Sequence, residues 1–236
     1  MLNPTIAWLT LRGTAGRKRA LLFAGAPLLL LALALLLRVT SPASASHWPE
    51  QVLGHFGFSV VLPLTALIIG TSVLGAEFDD GSAIHLLATP VSRGSVIVTK
   101  FAVAAALTAA FTAVPEFVAG LLSGRGAGFA AHLFAGALAG SVIYCAVFIL
   151  LSVLTTRAVV FGLLYVLLWE GLLSNLVDGA RLVSVSHYAL SIADLPSLKA
   201  GLSFGAGTAL GVIVTVAATV LAVQSLSRFS LKGDPA

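Results

Sequence analysis

Six long apolar runs, at 20–37, 52–74, 96–122, 129–154, 158–177 and 204–226, alternate with short polar connections. A helix crosses the bilayer hydrocarbon in about 20 apolar residues, so the runs predict an all-α polytopic membrane protein with six transmembrane helices. Ahead of the first run, Leu2, Ile6 and Leu9 recur at spacings of four and three beside Trp8, with Asn3, Thr5 and Arg12 on other faces. That pattern predicts a short N-terminal helix at 1–16 lying on the membrane surface. Pro27 and Pro63 fall inside apolar runs and read as kinks that membrane helices tolerate.

Composition agrees with the pattern. Of 236 residues, 58% are hydrophobic and 9% charged, where a soluble domain carries roughly 25% charged residues. Six spans leave no room for a sizeable soluble domain, so the chain reads as one transmembrane domain over 1–236. The phosphate-cradling pattern Gly-x-x-x-x-Gly-Lys-Ser/Thr is not found, and the nearest stretch, 13–19, has the wrong spacing. The chain is therefore not expected to hydrolyse nucleotides itself.

The net charge of +4 reports topology rather than a nucleic-acid partner, because the basic residues flank apolar runs. With the N-terminus inside, Arg12, Arg17, Lys18, Arg19, Arg93, Lys100, Arg157, Arg228 and Lys232 face the cytoplasm. Arg38, Arg125, Arg181 and Lys199 face out, and this excess inside predicts that both termini are cytoplasmic. A cleaved signal peptide ending near Ala43-Ser44-Ala45 is the competing reading. The first run is longer than the roughly 7–15 residues of such a segment, Arg38 interrupts the approach to the cleavage-like site, and five more spans follow, so a retained helix is expected. Cys145, the single cysteine, lies in an apolar run and is assigned to packing.

Two later connections stand out. The outer one, 178–203, is still fairly apolar, with Leu182, Val183, Val185, Tyr188, Leu190, Ile192 and Leu195 among polar residues. It is expected to rest in the outer leaflet or dip into it. Close-packing pairs Gly120/Gly124, Gly136/Gly140 and Gly207/Gly211, each four residues apart, let helix backbones approach one another.

The inner connection, 76–95, carries the most informative pattern. Glu77, Asp79 and Asp80 open a stretch in which Ile84, Leu87 and Val91 share one helical face, and Pro90 sets a stop before Arg93. This predicts a small amphipathic helix across the cytoplasmic mouth. Glu77, Gly81, Ser82, Leu86, Leu87, Thr89, Pro90, Val91, Ser92, Arg93 and Lys100 follow one another in an order that resembles the permease subunits of ABC-2-type exporters. The resemblance implies a transporter subunit in a bacterial-type plasma membrane, pairing with a second permease, identical or related, and with separate ATP-binding subunits that hold ATP and Mg. It further implies that 76–95 is the coupling element docking on the ATPase, with Glu77, Gly81, Ser82, Leu86, Leu87, Thr89, Pro90 and Arg93 forming it. Glu77 and Arg93 could brace it by charge, and Gly81 permits a sharp bend.

By the same resemblance the second and fifth spans line the pathway. Their residues Val61, Leu64, Thr65, Ile68, Ile69, Leu164 and Leu168 favour a lipophilic or amphipathic substrate.

Two acidic residues lie inside spans. At about 1.5 Å per residue from the cytoplasmic start, Glu116 lies about 30 Å along and Glu170 about 18 Å, so Glu170 is the deeper. A charge at the bilayer centre costs about 2.5–3.5 kcal/mol, which makes both candidates for a gate or an anchor of the outer loop. Glu170 is expected to accept hydrogen bonds from Ser184, Ser186 or Tyr188. The five histidines are scattered, and only His47 has a carboxylate, Glu50, at helical spacing, so no metal site is expected. Two rival functions are a secondary transporter, which would need inverted repeats and midplane ion ligands or broken helices, and an intramembrane enzyme using Glu116, Glu170 and a histidine at one depth as acid, base or metal ligands.

Overall fold

A computed structural model describes residues 4–14, 17–40, 48–79, 93–176, 178–195 and 201–229 of the chain. Helix α1 spans Pro4–Thr14 and α2 Arg17–Thr40; α3 joins Glu50–Val61 to Leu62–Asp79. They are followed by α4 (Arg93–Leu122), α5 (Ala127–Leu154) and α6, which runs through Ala158–Leu164, Tyr165–Leu173 and Ser174–Leu176. A 3-10 turn at Asp178–Val183 leads into the short α7 (Val185–Ala193), and α8 is Phe204–Phe229. No strand occurs among the described residues. Five helices, α2, α3, α4, α5 and α8, are long and apolar enough to cross a membrane, and α6 contributes a shorter apolar segment, Ala158–Leu173.

Helix ends overshoot the apolar runs. The connection expected at 76–95 is shorter at both sides, since α3 continues to Asp79 and α4 begins at Arg93. A helix satisfies its own backbone in lipid or in water, so its end need not coincide with the last apolar residue. Two stretches depart from α-helical winding: Glu50–Val61 of α3 and Tyr165–Leu173 of α6 are wound as π-helix. Such i→i+5 winding is rare and concentrates at functional sites.

Helices α3, α4 and α5 form the centre of the bundle, with 56–61% of their membrane-crossing residues buried against 22% for α2 and α8. The two outer helices turn Leu28, Leu29, Leu35 and Leu36, and Val212, Ile213, Val216 and Val220, away from the bundle. Lipid drives no apolar collapse between helices, so close packing and interhelical hydrogen bonds hold the centre. Thr112 bonds Ser141 at 2.9 Å and Thr108 meets the Cys145 thiol at 3.1 Å, both between α4 and α5. Tyr144 stacks on Phe148, which in turn meets Tyr165 of α6 edge-on.

These contacts fix the relative directions. The Phe23 ring meets Phe111 edge-on, and the Arg38 guanidinium donates to the Leu122 carbonyl, so α2 and α4 run parallel. Gly120 lies against Ala130, which sets α4 antiparallel to α5. A Cβ at Gly94 would touch Val223, so the start of α4 meets the end of α8. The start of α2, the end of α8 and the helix ends flanking 80–92 consequently share one end of the bundle. The turn at 123–126 and the connection between α6 and α8 occupy the other.

Candidate functional site

The connection after α6 does not rest on the bundle; its helix α7 is sunk inside it. Val185, Ser186, His187, Tyr188, Ala189, Leu190, Ser191 and Ala193 are all buried. Ser184 caps the helix by accepting from the His187 N–H, and Asp194 ends it in the left-handed region at φ 46°. The trough that receives α7 is made of glycines. A Cβ at Gly136 would lie 2.7 Å from the Ala189 carbonyl and from the Ala193 Cβ, and one at Gly140 would lie 3.0 Å from the Ala189 Cβ. A Cβ at Gly207 of α8 would overlap the Ser191 hydroxyl. The His132 ring bonds the Ala193 carbonyl at 2.7 Å at the far end.

The other paired glycines divide their roles. Gly211 lies against Ile143, and Gly124 at φ 77° turns the chain out of α4.

Glu170 of α6 is fully buried and ties α7 in place. Its Oε1 accepts from the Tyr165 hydroxyl at 2.9 Å and the Val185 N–H at 2.8 Å. Its Oε2 accepts from the hydroxyls of Ser184 and Ser186 at 2.5 and 2.6 Å and from the Ser186 N–H at 3.4 Å. Tyr165 and Glu170 are five residues apart, a spacing that shares a face because π-winding closes each turn at i→i+5.

Tyr188, named from sequence as a further donor to Glu170, donates instead to the Leu182 carbonyl. It sits beyond the first turn of α7, where its phenol reaches back over the 3-10 turn. Burial first, and nearby Glu170 second, push its phenol pKa up. Burial also lowers the pKa of His187; Glu170 opposes that shift, while Arg181 and His55 add to it. The His187 ring nitrogen Nδ1 lies 2.9 Å from the Ser184 hydroxyl.

Glu116 of α4 is equally enclosed, only 2% exposed, yet neither carboxyl oxygen has a hydrogen-bond partner. It abuts Gly57 in the π-wound part of α3, where a Cβ would lie 1.9 Å from its Oε1. Thr112, one turn earlier in α4, bonds Ser141. Glu116 therefore stands near the 123–126 end, as its position along the run implied, but protein rather than the membrane surface surrounds it. Among the described residues Glu116 and Glu170 share no hydrogen-bond partner. Among the described residues no three His, Cys, Asp or Glu side chains converge as a metal site.

Of the coupling residues, Gly81, Ser82, Leu86, Leu87, Thr89 and Pro90 lie outside the described residues. Glu77 falls in the last turn of α3, and Arg93 opens α4. Sequence reasoning matched Lys100 to the motif but missed its setting. Its Nζ is buried and donates to the Val73 carbonyl of α3 at 2.9 Å. Of the proposed pathway residues, Val61, Thr65 and Ile69 are buried within the chain, Leu64 and Ile68 are half-buried, and Leu164 and Leu168 are exposed.

Such a bundle, helical throughout and with a loop helix sunk in its interior, is that of a multi-pass membrane protein. The sequence profile of the ABC-2 family transporter protein matches residues 17–177, and the chain belongs to that family. It is thus a permease component of an ABC transporter, a class that generally works with an ABC ATP-binding subunit. No curated protein matches the sequence.

Proposed function

We propose that the chain is the permease subunit of an exporter, paired with a second six-span permease and driven by ATP hydrolysed on a separate subunit docked at 80–92. The observation that carries this reading is the Lys100–Val73 bond. It joins α3 and α4 one to two turns from the loop that connects them, so a push on the loop moves both helices as one lever. Removing that buried ammonium from its carbonyl would strand a charge, which makes the tie hard to open. Helix α3 packs against α6 through Gly162 and Leu67, and this contact carries the motion to the fifth span.

The excess of Lys and Arg at the end bearing 80–92 supports a cytoplasmic location for that loop and for both termini, in a bacterial-type plasma membrane. Exposed Leu163, Leu164, Leu167 and Leu168 on α6 supply an apolar surface for the second permease and for a lipophilic or amphipathic substrate.

The test is reconstitution with the ATP-binding subunit. Lys100→Met should leave the complex assembled and ATP turnover measurable while lowering transport at least about tenfold, equivalent to 1.4 kcal/mol of lost coupling. Transport by the purified chain without any ATP-hydrolysing companion would overturn the reading in favour of a secondary transporter. An intramembrane enzyme would need Glu116 and Glu170 in one site, and among the described residues no hydrogen bond links them.

A further inference from the structure

Glu116 is a buried carboxyl that the fold does not use. Most threonines on the spans settle their hydroxyls on the carbonyl four residues back, as Thr71, Thr112, Thr215 and Thr219 do. Thr65 does not: its hydroxyl is buried and unpartnered, like both oxygens of Glu116. Thr65 stands on the buried stripe Gly57, Val61, Thr65 and Ile69 of α3. That inward face thus carries a position without a side chain pressed against an open carboxyl and, two turns further on, an open hydroxyl.

Among the described residues, the arginines at this end of the bundle are engaged elsewhere. Arg38 bonds the Leu122 carbonyl, Arg125 pairs with Glu50 at 2.9 Å, and Arg181 reaches the Ser174 carbonyl. Glu116 Oε1 lies against Gly57, in a π-wound segment of the kind that concentrates at functional sites.

Resting on the reading above that α3 borders the pathway, we infer that Glu116 receives the cationic head of the transported molecule, a protonated amine on an apolar body. The amine reaches the carboxyl when α3 moves Gly57 off it. An ammonium supplies both the charge and the donors that the carboxyl lacks, and in a low-dielectric site that pairing discriminates strongly against a neutral head. Apolar surroundings with few polar anchors suit the rest of such a molecule.

The test uses the full chain in lipid nanodiscs with a hydrophobic carbodiimide, reading modification of Glu116 by peptide mass spectrometry. N,N-Dimethyldodecylamine, a protonated tertiary amine that cannot form an amide with the activated carboxyl, should slow that modification at least tenfold, while dodecanol at equal membrane concentration leaves it unchanged. Any labelling of Glu170, closed off by five donors, should respond to neither. In Glu116→Gln, radiolabelled dodecylamine should bind at least tenfold more weakly than to the unaltered chain. Equal protection by amine and alcohol, or unchanged amine binding in Glu116→Gln, would overturn the inference. Neither measurement needs ATP, so a negative result is separable from failure of the exporter reading, which ATP-driven transport in vesicles scores independently.

Discussion

Glu170 and Glu116 are the same residue type, both enclosed in the bundle, and each stands six positions before the end of its helix, at Leu176 and Leu122. Glu170 accepts five hydrogen bonds; Glu116 accepts none. The difference arises from the neighbours. The π-winding of α6 stacks Tyr165 on Glu170, and the sunken α7 presents two serine hydroxyls and two backbone N–H groups. On α4 the Thr112 hydroxyl, one turn before Glu116, is engaged by the Thr108 carbonyl and Ser141, and the α3 residue set against Glu116 is Gly57, which has no side chain to donate. Burial alone therefore does not tell an anchor from an open acceptor. The supply of donors does.

Removing the anchor should have the largest effect. Glu170→Ala leaves the buried hydroxyls of Tyr165, Ser184 and Ser186 and two N–H groups without their acceptor. A loss of about 3–5 kcal/mol is expected, read as a fall in thermal midpoint and as protease cleavage within 178–203.

Acidification should act on the same region more gently. The pKa of His187 is held below its usual 6.5 chiefly by burial, so the folded chain favours the neutral ring. The unfolded segment protonates first, so the stability this ring contributes is complete above pH 6.5 and is lost as pH falls through its depressed folded value. Protease sensitivity of 178–203 should rise on acidification below 6.5, and His187→Asn should flatten that dependence.

The smallest change is expected from Glu116→Gln. No donor is lost, so stability should stay within about 1 kcal/mol of the unaltered chain. A loss as large as that of Glu170→Ala would erase the distinction between the two carboxyls.

The spans were legible because a bilayer demands long apolar runs, and helix positions follow them to within a few residues. Ser184 and Ser186 were legible as partners of Glu170 from their polarity and proximity in the chain. The burial of α7 was only half legible. Its apolar residues suggested contact with lipid, whereas the glycines that admit it, Gly136, Gly140 and Gly207, come from two other helices. The Tyr165–Glu170 bond was not legible, since α-helical periodicity puts residues five apart on different faces. Lys100 was visible as a motif residue, but its bond to Val73 depends on the packing of α3 against α4. The role of 80–92 rests on the order of its residues and on family membership, because that segment lies outside the described residues.

Segment 80–92 should face the cytoplasm and grip an ATPase. Ser82→Cys, made in a Cys145→Ala background so that it is the single thiol, tests this in intact cells and inverted vesicles containing the ATP-binding subunit. An impermeant maleimide should label the thiol only in inverted vesicles, and a short bifunctional crosslinker should join it to the ATP-binding subunit. Labelling from outside intact cells, or unhindered labelling with no crosslink to that subunit, would contradict it.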